Sequence, residues 1–209
     1  MDYKIIVLTN FLQNCLIIWC KNTYDCALVD PGGDTNKLKK QLLDIELKPN
    51  KILLTHGHID HVAGAAELAS FYKIPIIGPH IQDLYLLNNL PNQSKMFHFP
   101  KCEPLRPDYF LEENNIINIG NIRLEVIHCP GHTPGHIVFF NRKNKLLIAG
   151  DTLFKGSIGR TDFLQGNYQQ LVTVIKQKIL SLGDEVILIP GHGPISTVGK
   201  ERITNPFLK

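Results

Sequence analysis

The feature that most constrains this chain is the stretch Thr55-His56-Gly57-His58-Ile59-Asp60-His61, which sets three imidazoles and one carboxylate within six consecutive positions. It follows the apolar run Lys51-Ile52-Leu53-Leu54, which reads as a buried strand, and it opens residues 61–71, whose small side chains suit a helix. A strand-to-loop-to-helix passage lets alternate residues converge on one point. Imidazole nitrogen and carboxylate oxygen are donors that Zn²⁺, Fe²⁺ and Mn²⁺ accept. His56 and His58 are therefore expected to face one ion, and Asp60 and His61 a second. Gly57 is expected to leave the gap between them uncrowded.

Three later segments share this setting, each ending an apolar run in a small-residue turn. They are Pro130-Gly131-His132-Thr133-Pro134-Gly135-His136, Leu146-Leu147-Ile148-Ala149-Gly150-Asp151, and Ile187-Leu188-Ile189-Pro190-Gly191-His192-Gly193. Strand ends are where an α/β sheet assembles a site, which makes His132, Asp151 and His192 candidates to join the first cluster. A surface loop that is merely rich in histidine would not bring three ordered partners with it. His136 is expected to make a structural hydrogen bond rather than a metal bond. His80, His98 and His128 lack matching partners and read as surface or partly buried histidines, and Cys129 as core packing.

The chain has 209 residues, 44% hydrophobic and 20% charged, enough for one substantial core, so residues 1–209 are expected to form one domain. The net charge of +3 is spread along the length without basic runs, which gives no sign of nucleic-acid binding. Residues 11–20 are apolar but interrupted by Gln13 and Asn14, and they read as strand rather than as a signal segment; no window suits a membrane span. Five cysteines without a C-x-x-C pair read as reduced thiols, and the expected location is the cytoplasm. Strands are expected at residues 4–8, 15–19, 26–29, 51–55, 122–128, 137–140, 146–149 and 185–189, and helices at 35–47, 61–71 and 168–179. Lys37, Lys39 and Lys40 would form the wet face of the first helix. Five prolines break up residues 78–113, which read as a surface excursion.

The order T-H-x-H-x-D-H, P-G-H-T-x-G-H, G-D and P-G-H-G resembles the metallo-β-lactamase-fold hydrolases over nearly the whole chain. Within them it is most similar to the short bacterial branch of the type II glyoxalases, the hydroxyacylglutathione hydrolases. Gly150-Asp151-Thr152-Leu153-Phe154, Gly159-Arg160-Thr161-Asp162-Phe163, Gly199-Lys200-Glu201-Arg202 and Asn205-Pro206-Phe207-Leu208 carry this narrower likeness. The resemblance implies an α/β fold, the αβ/βα four-layer sandwich with two mixed sheets flanked by helices. It implies that His56, His58 and His132 bind one divalent metal, that Asp60, His61 and His192 bind the other, and that Asp151 bridges them. Zinc is the foremost metal, with iron and manganese accepted by the same donors. The implied activity is hydrolysis of an acyl-glutathione thioester such as S-lactoylglutathione, a step of methylglyoxal detoxification, with Asp60 also hydrogen-bonded to the attacking hydroxide.

Longer type II glyoxalases add a C-terminal helical region and a Lys/Tyr-containing loop that help to hold glutathione. Here seventeen residues follow His192, and Gly159-Arg160-Thr161-Asp162 stands at the loop position. Arg160 is the candidate cation for a glutathione carboxylate, or else one half of an ion pair with Asp162. The alternative activity is that of an iron-dependent persulfide dioxygenase of the same fold, which shares the G-R-T-D-F stretch but has Cys where this chain has His136. Nuclease, lactonase and non-catalytic metal-binding readings use the same core. Gly193 to Lys200 does not fit a phosphate loop, and no G-x-S-x-G elbow supports a serine hydrolase.

Overall fold

The computed structural model describes residues 1–209, and burial alternating along the strands decides its layering. The first sheet lies in chain order: β1 (Asp2–Leu8), β2 (Gln13–Trp19), β3 (Cys26–Val29), β4 (Pro49–Leu53) and β5 (Ile76–Ile77). The β1–β2–β3 pairings are antiparallel and the β3–β4–β5 pairings parallel, so the sheet is mixed. In β2, Cys15 and Ile17 enter the core beneath the helices, while Leu16 and Ile18 enter the core between the sheets. Burial on both faces explains why these strands read as continuous apolar runs rather than as alternating ones.

Helix α1 (Thr35–Asp44) buries Leu38 and Leu42, one turn apart, against that outer face. Lys37 and Lys40 stay exposed, and Lys39 is half-buried, 2.6 Å from Glu67. The helix is shorter than its sequence pattern suggests, because Glu46 takes a left-handed φ of 55° and turns Leu47 back into the core. The expected helix over 61–71 is two pieces, α2 (Ile59–Val62) and α3 (Ala65–Tyr72), broken at Ala63 and Gly64.

The excursion at 78–113 holds two short helices, α4 (Leu84–Asn88) and α5 (Leu90–Met96). It is more than surface: Asp83, Leu87, Leu90, Gln93 and Ser94 are buried. The second sheet contains β6 (Ile116–Ile119), β7 (Ile122–His128), β8 (Ile137–Asn141) and β9 (Leu146–Gly150). The hairpin β10 (Leu153–Phe154) and β11 (Ser157–Ile158) follows, then α6 (Tyr168–Val174), β12 (Ile187–Pro190), β13 (Ser196–Thr197) and α7 (Val198–Thr204). Its strand order is β13-β12-β9-β8-β7-β6, antiparallel except for the parallel β12–β9 pair.

Leu124, Val126, Phe139 and Ile148 of this sheet meet Leu16, Ile18, Val29 and Leu53 of the first in one buried cluster. On its other face Val138, Phe140 and Leu147 pack with Leu171, Ile175 and Ile179 of α6 and the turns after it. The layers are therefore helix, sheet, sheet, helix. The loops that follow β3, β4, β7, β9 and β12 all open on the same edge of this sandwich.

The tail locks β13 and the β10–β11 hairpin in place. Glu201 of α7 is fully buried; it accepts hydrogen bonds from the Ser196 hydroxyl, from Gly156 N–H at 2.7 Å and from Asn205 Nδ2 at 3.0 Å. Asn205 Nδ2 also donates to the Ser157 carbonyl at 3.0 Å, so α7 holds the β10–β11 hairpin beside the open edge. Glu201→Ala is expected to cost about 3 kcal/mol by stranding buried donors. That corresponds to a fall of roughly 6–12 °C in Tm for a domain of this size; thermal unfolding followed by circular dichroism checks it.

Candidate metal centre

The strand-end loops bring His56, His58, Asp60, His61, His132, Asp151 and His192 together. In each of the groups His56, His58, His132 and Asp60, His61, His192, one donor atom per residue lies within 4.8 Å of the others. His132 Nε2 and His58 Nδ1 are 3.0 Å apart, and His192 Nε2 is 3.2 Å from Asp60 Oδ2. Asp151 stands between the groups: Oδ1 is 3.3 Å from His61 Nε2, and Oδ2 is 3.6 Å from both His132 Nε2 and His192 Nε2.

Neighbouring acceptors fix which ring nitrogen is free. Asp30, at the end of β3, accepts Thr55 N–H at 2.8 Å on Oδ1 and the Thr55 hydroxyl at 2.6 Å on Oδ2. With its own proton committed, the Thr55 oxygen accepts from His56 Nδ1 at 3.0 Å, which leaves the Nε2 lone pair of His56 free. Asp30 Oδ2 also takes His61 Nδ1–H at 2.9 Å. His132 Nδ1 donates to the Arg160 carbonyl at 2.7 Å, and His192 Nδ1 to the Phe11 carbonyl at 3.0 Å. Four Nε2 atoms thus point into one space, the arrangement in which outer acceptors orient metal-binding imidazoles.

Burial holds His56 well below the ordinary imidazole range, with the imidazoles of His61 and His136 adding to the effect. Burial and His132 bring His58 down to about 3, and burial lowers His132. Burial also opposes ionising Asp151 and Asp60. The imidazole of His61 heads the neighbours that overcome it, so both carboxyls lie below their usual range. His56, His58 and His132 are therefore neutral; burial also opposes charging His61 and His192, but Asp151 and Asp60 raise both above the ordinary imidazole range, so these two rings would give up a proton to a bound cation.

Four buried side-chain polar atoms lack a hydrogen-bond partner, and three are in this cluster: His56 Nε2, His61 Nε2 and Asp151 Oδ1. The fourth, Gln13 Oε1, adjoins it, its amide nitrogen 3.5 Å from His61 Nδ1. Orphaned buried groups each cost about 1–3 kcal/mol, so native structures rarely keep them without a ligand. Three buried polar atoms aimed inward, two imidazole nitrogens and a carboxylate oxygen, fit a pair of divalent cations that would displace the His61 proton.

Arg160 pairs with Asp162 through two bonds of 3.0 and 2.9 Å, both side chains exposed, and its guanidinium lies 4.5 Å from the Phe163 ring centre. It lines the same cavity of about 950 Å³ that His58, Asp60, His132, Asp151 and His192 open into. His136 is buried; its Nε2 accepts Asp151 N–H at 2.9 Å and its ring stacks on His56 at 4.7 Å, so it braces the cluster from behind. His80 and His128 stack on each other 4.3 Å apart, away from the centre. Gly57 does not border the ligand gap: a Cβ there would meet Leu86 Cβ at 2.8 Å, so it admits α4 instead. Gly191 is the residue that clears the centre, since a Cβ would sit 2.2 Å from Asp151 Oδ1.

Three polar residues that the motif reading did not single out support the site. Asp30 is one. Asn14, inside β2, donates to the carbonyls of Pro190 and Gly193 at 3.0 and 2.8 Å and thereby holds the His192 loop. Asp83 is the third: Oδ2 accepts Gly57 N–H and the Thr133 hydroxyl, each at 2.8 Å, and Oδ1 accepts Gly135 N–H at 2.6 Å. It ties the His56–His61 loop to the His132 loop. Burial pushes its carboxyl up to about 6, against the pull of those three bonds. Gln13 and Asn14 interrupting an apolar strand were the one visible signal among these; Asp83, in an irregular segment, carried none.

Residues 8–192 match the family model of the metallo-beta-lactamase superfamily. The chain belongs to that superfamily. Hydroxyacylglutathione hydrolase GloC of Haemophilus influenzae is 41% identical over 209 residues, covering 100% of this chain and 98% of that protein. Among solved structures, the BLEG-1 B3 metallo-beta-lactamase superposes with a TM-score of 0.92 at 33% identity, with 100% of both chains covered. TTHA1623 in a di-iron-bound form superposes at 0.89 with 34% identity, covering 98% of this chain and all of that one. The two mixed sheets flanked by helices are thus those of the metallo-beta-lactamase fold.

Two measurements bear on the site. Removing metal with a chelator is expected to lower the unfolding free energy by about 3 kcal/mol relative to protein held near a hundredfold excess over Kd, read by thermal unfolding with and without added Zn²⁺. Asp83→Ala, which strands two amides and a hydroxyl, is expected to weaken metal affinity about 10- to 100-fold, read by competition with a chromophoric chelator.

Proposed function

We propose that this metallo-hydrolase cleaves a glutathione thioester such as S-lactoylglutathione, giving free glutathione and the hydroxy acid. The observation that carries the reading is the inward convergence of seven ligand-type side chains, three of them with orphaned atoms, on the floor of a cavity large enough for such a substrate. The full-length similarity to GloC supports the thioester class.

His56, His58 and His132 would hold one divalent cation and Asp60, His61 and His192 the other, with Asp151 shared between them. When bound, the pair supplies Lewis acidity that brings the pKa of water toward neutrality and polarises a carbonyl. Asp60 opens into the cavity and is held ionised, so Oδ2 can accept a hydrogen bond from the attacking water and orient it. Asp30 and Asp83 keep the loops in place during the attack, which spares reorganisation as charge develops. Water adds to the thioester carbonyl carbon as its proton passes toward the Asp60 carboxylate; the C–S bond then breaks, and the leaving thiolate, with a conjugate-acid pKa of about 8.5, departs without a strong general acid and takes up that proton. Arg160 is the one cationic side chain on the cavity wall and would meet a carboxylate of the glutathione half. Zinc suits the nitrogen and oxygen donors, as do iron and manganese. All five cysteines are free thiols, four of them buried, which supports a cytoplasmic setting. No helix is long and apolar enough to cross a membrane.

The zinc-loaded protein is expected to release thiol from S-lactoylglutathione, read with a thiol-reactive chromophore, and to show no oxygen uptake with glutathione persulfide. His58→Ala is expected to lower turnover about a hundredfold or more while losing metal in elemental analysis. Absence of thiol release from any acyl-glutathione would overturn the reading, and oxygen uptake would favour the persulfide dioxygenase instead.

A further inference from the structure

The two sides of the cavity differ in chemistry. On the side of His58 and His132 stands Phe163, its ring centre 4.9 Å from that of His58 and 5.7 Å from that of His132. Arg160 lies over this ring, the only lysine or arginine among the residues that line the cavity. On the side of His192 the wall is aromatic and carries no ionic group beyond the cluster itself. Phe154 has its ring centre 6.3 Å from that of His192, the Phe11 carbonyl binds His192 Nδ1, and the Phe11 ring meets Phe97 edge-on at 5.9 Å. Met96 completes the lip and is 71% exposed.

This aromatic wall is built at a conformational cost. The turn that presents Phe11 contains Thr9 and Leu12 at left-handed φ of 56° and 54°, a region in which residues with a Cβ lose about 1–2 kcal/mol. Phe11 and Phe97 remain 39% and 36% exposed, apolar surface left uncovered at the mouth of a cavity, where a ligand would gain by covering it.

A thioester has two unlike halves. Glutathione is acidic and hydrated, whereas the acyl group can be wholly apolar. Setting the acid half against Phe11, Phe97 and Phe154 would desolvate carboxylates with no cation to receive them. Resting on the thioester reading above, we propose that the acyl group lies on the His192 side against Phe11, Phe97 and Phe154, with the thiol half toward Arg160, so that acyl groups of several apolar carbons are preferred to lactoyl. The three phenyl rings offer a lactoyl hydroxyl no hydrogen-bond partner, while each methylene buried against them is worth about fourfold in affinity.

The test uses the metal-bearing protein and two thioethers that it cannot hydrolyse, S-methylglutathione and S-hexylglutathione, titrated calorimetrically. S-Hexylglutathione is expected to bind at least tenfold more tightly. Phe97→Leu and Phe97→Ala should progressively shrink that ratio with the circular dichroism spectrum retained, and Arg160→Ala should weaken both ligands alike and leave the ratio intact. Equal affinity for the two thioethers, no binding of either, or a ratio that Arg160→Ala removes and Phe97→Ala does not, overturns the proposal. Turnover supplies the separate arm: hexanoyl-glutathione should exceed S-lactoylglutathione tenfold or more in kcat/KM. The reverse order overturns the acyl preference but leaves the hydrolase reading standing, whereas a binding ratio as expected with no cleavage of either thioester overturns the hydrolase reading.

Discussion

Three buried polar atoms without a hydrogen-bond partner, on His56, His61 and Asp151, govern how the rest of this molecule is arranged. A buried donor or acceptor that finds no partner destabilises the fold, so a protein can keep several in one place only if something else satisfies them. Divalent cations do so for all three at once. Burial keeps His56, His58 and His132 neutral, whereas Asp151 and Asp60 raise His61 and His192 and are drawn down by them in turn, so a bound cation would take the place of protons on that side. An apolar packing of the same volume would be simpler to fold and would bind nothing.

The second requirement is geometric, and the architecture meets it through a shared edge. Parallel neighbours β3 and β4 end together, as do β9 and β12, so Asp30, the His56–His61 loop, Asp151 and His192 emerge side by side. The β7–β8 turn adds His132 from the second sheet. A set drawn from two sheets would shift whenever the sheets shift, and Asp83 and Asn14 oppose this by fastening loops of different origin to one another. Asp83 accepts bonds from both sides of the junction and does so while fully buried. Its raised pKa is the sign that the solvation it gives up is not fully replaced.

Much of this could be read from the order of residues because the ligands announce themselves. A histidine or aspartate after an apolar strand and beside glycine is a local pattern; His56, His58, His132, Asp151 and His192 have it, and Asp60 and His61 follow within three residues of His58. The buried strands were legible for the same reason, since burial on both faces leaves unbroken apolar runs. Supporting groups are different. Asp83 sits among irregular residues, and its value comes from touching Gly57 and Gly135, contacts that no spacing in the chain encodes. The short strands β10, β11 and β13, two residues each, carry too little pattern to separate them from turns. The segment at 78–113 looked like an excursion because its prolines break periodicity, yet Leu87 and Leu90 anchor it in the core and Leu86, Gln93 and Phe97 bring it to the cavity.

The same segment shows how a small scaffold shapes a site. Gln93 accepts Ile59 N–H at 3.0 Å at the start of α2 and donates to the Leu86 carbonyl at 2.9 Å, so the helices that supply the lip are fastened to the loop that supplies the ligands. Phe154 reaches the aromatic wall on a hairpin that Glu201 and Asn205 hold from the tail. Walls attached in this way cannot drift from the metal ligands without breaking buried hydrogen bonds. Their apolar character also matters to the chemistry, because a wall that sheds water lowers the local dielectric and strengthens every charge interaction at the cluster it encloses. The aromatic residues that border the cavity thus also shape the electrostatics of the cluster, so a change in the lip would act on both cavity and cluster.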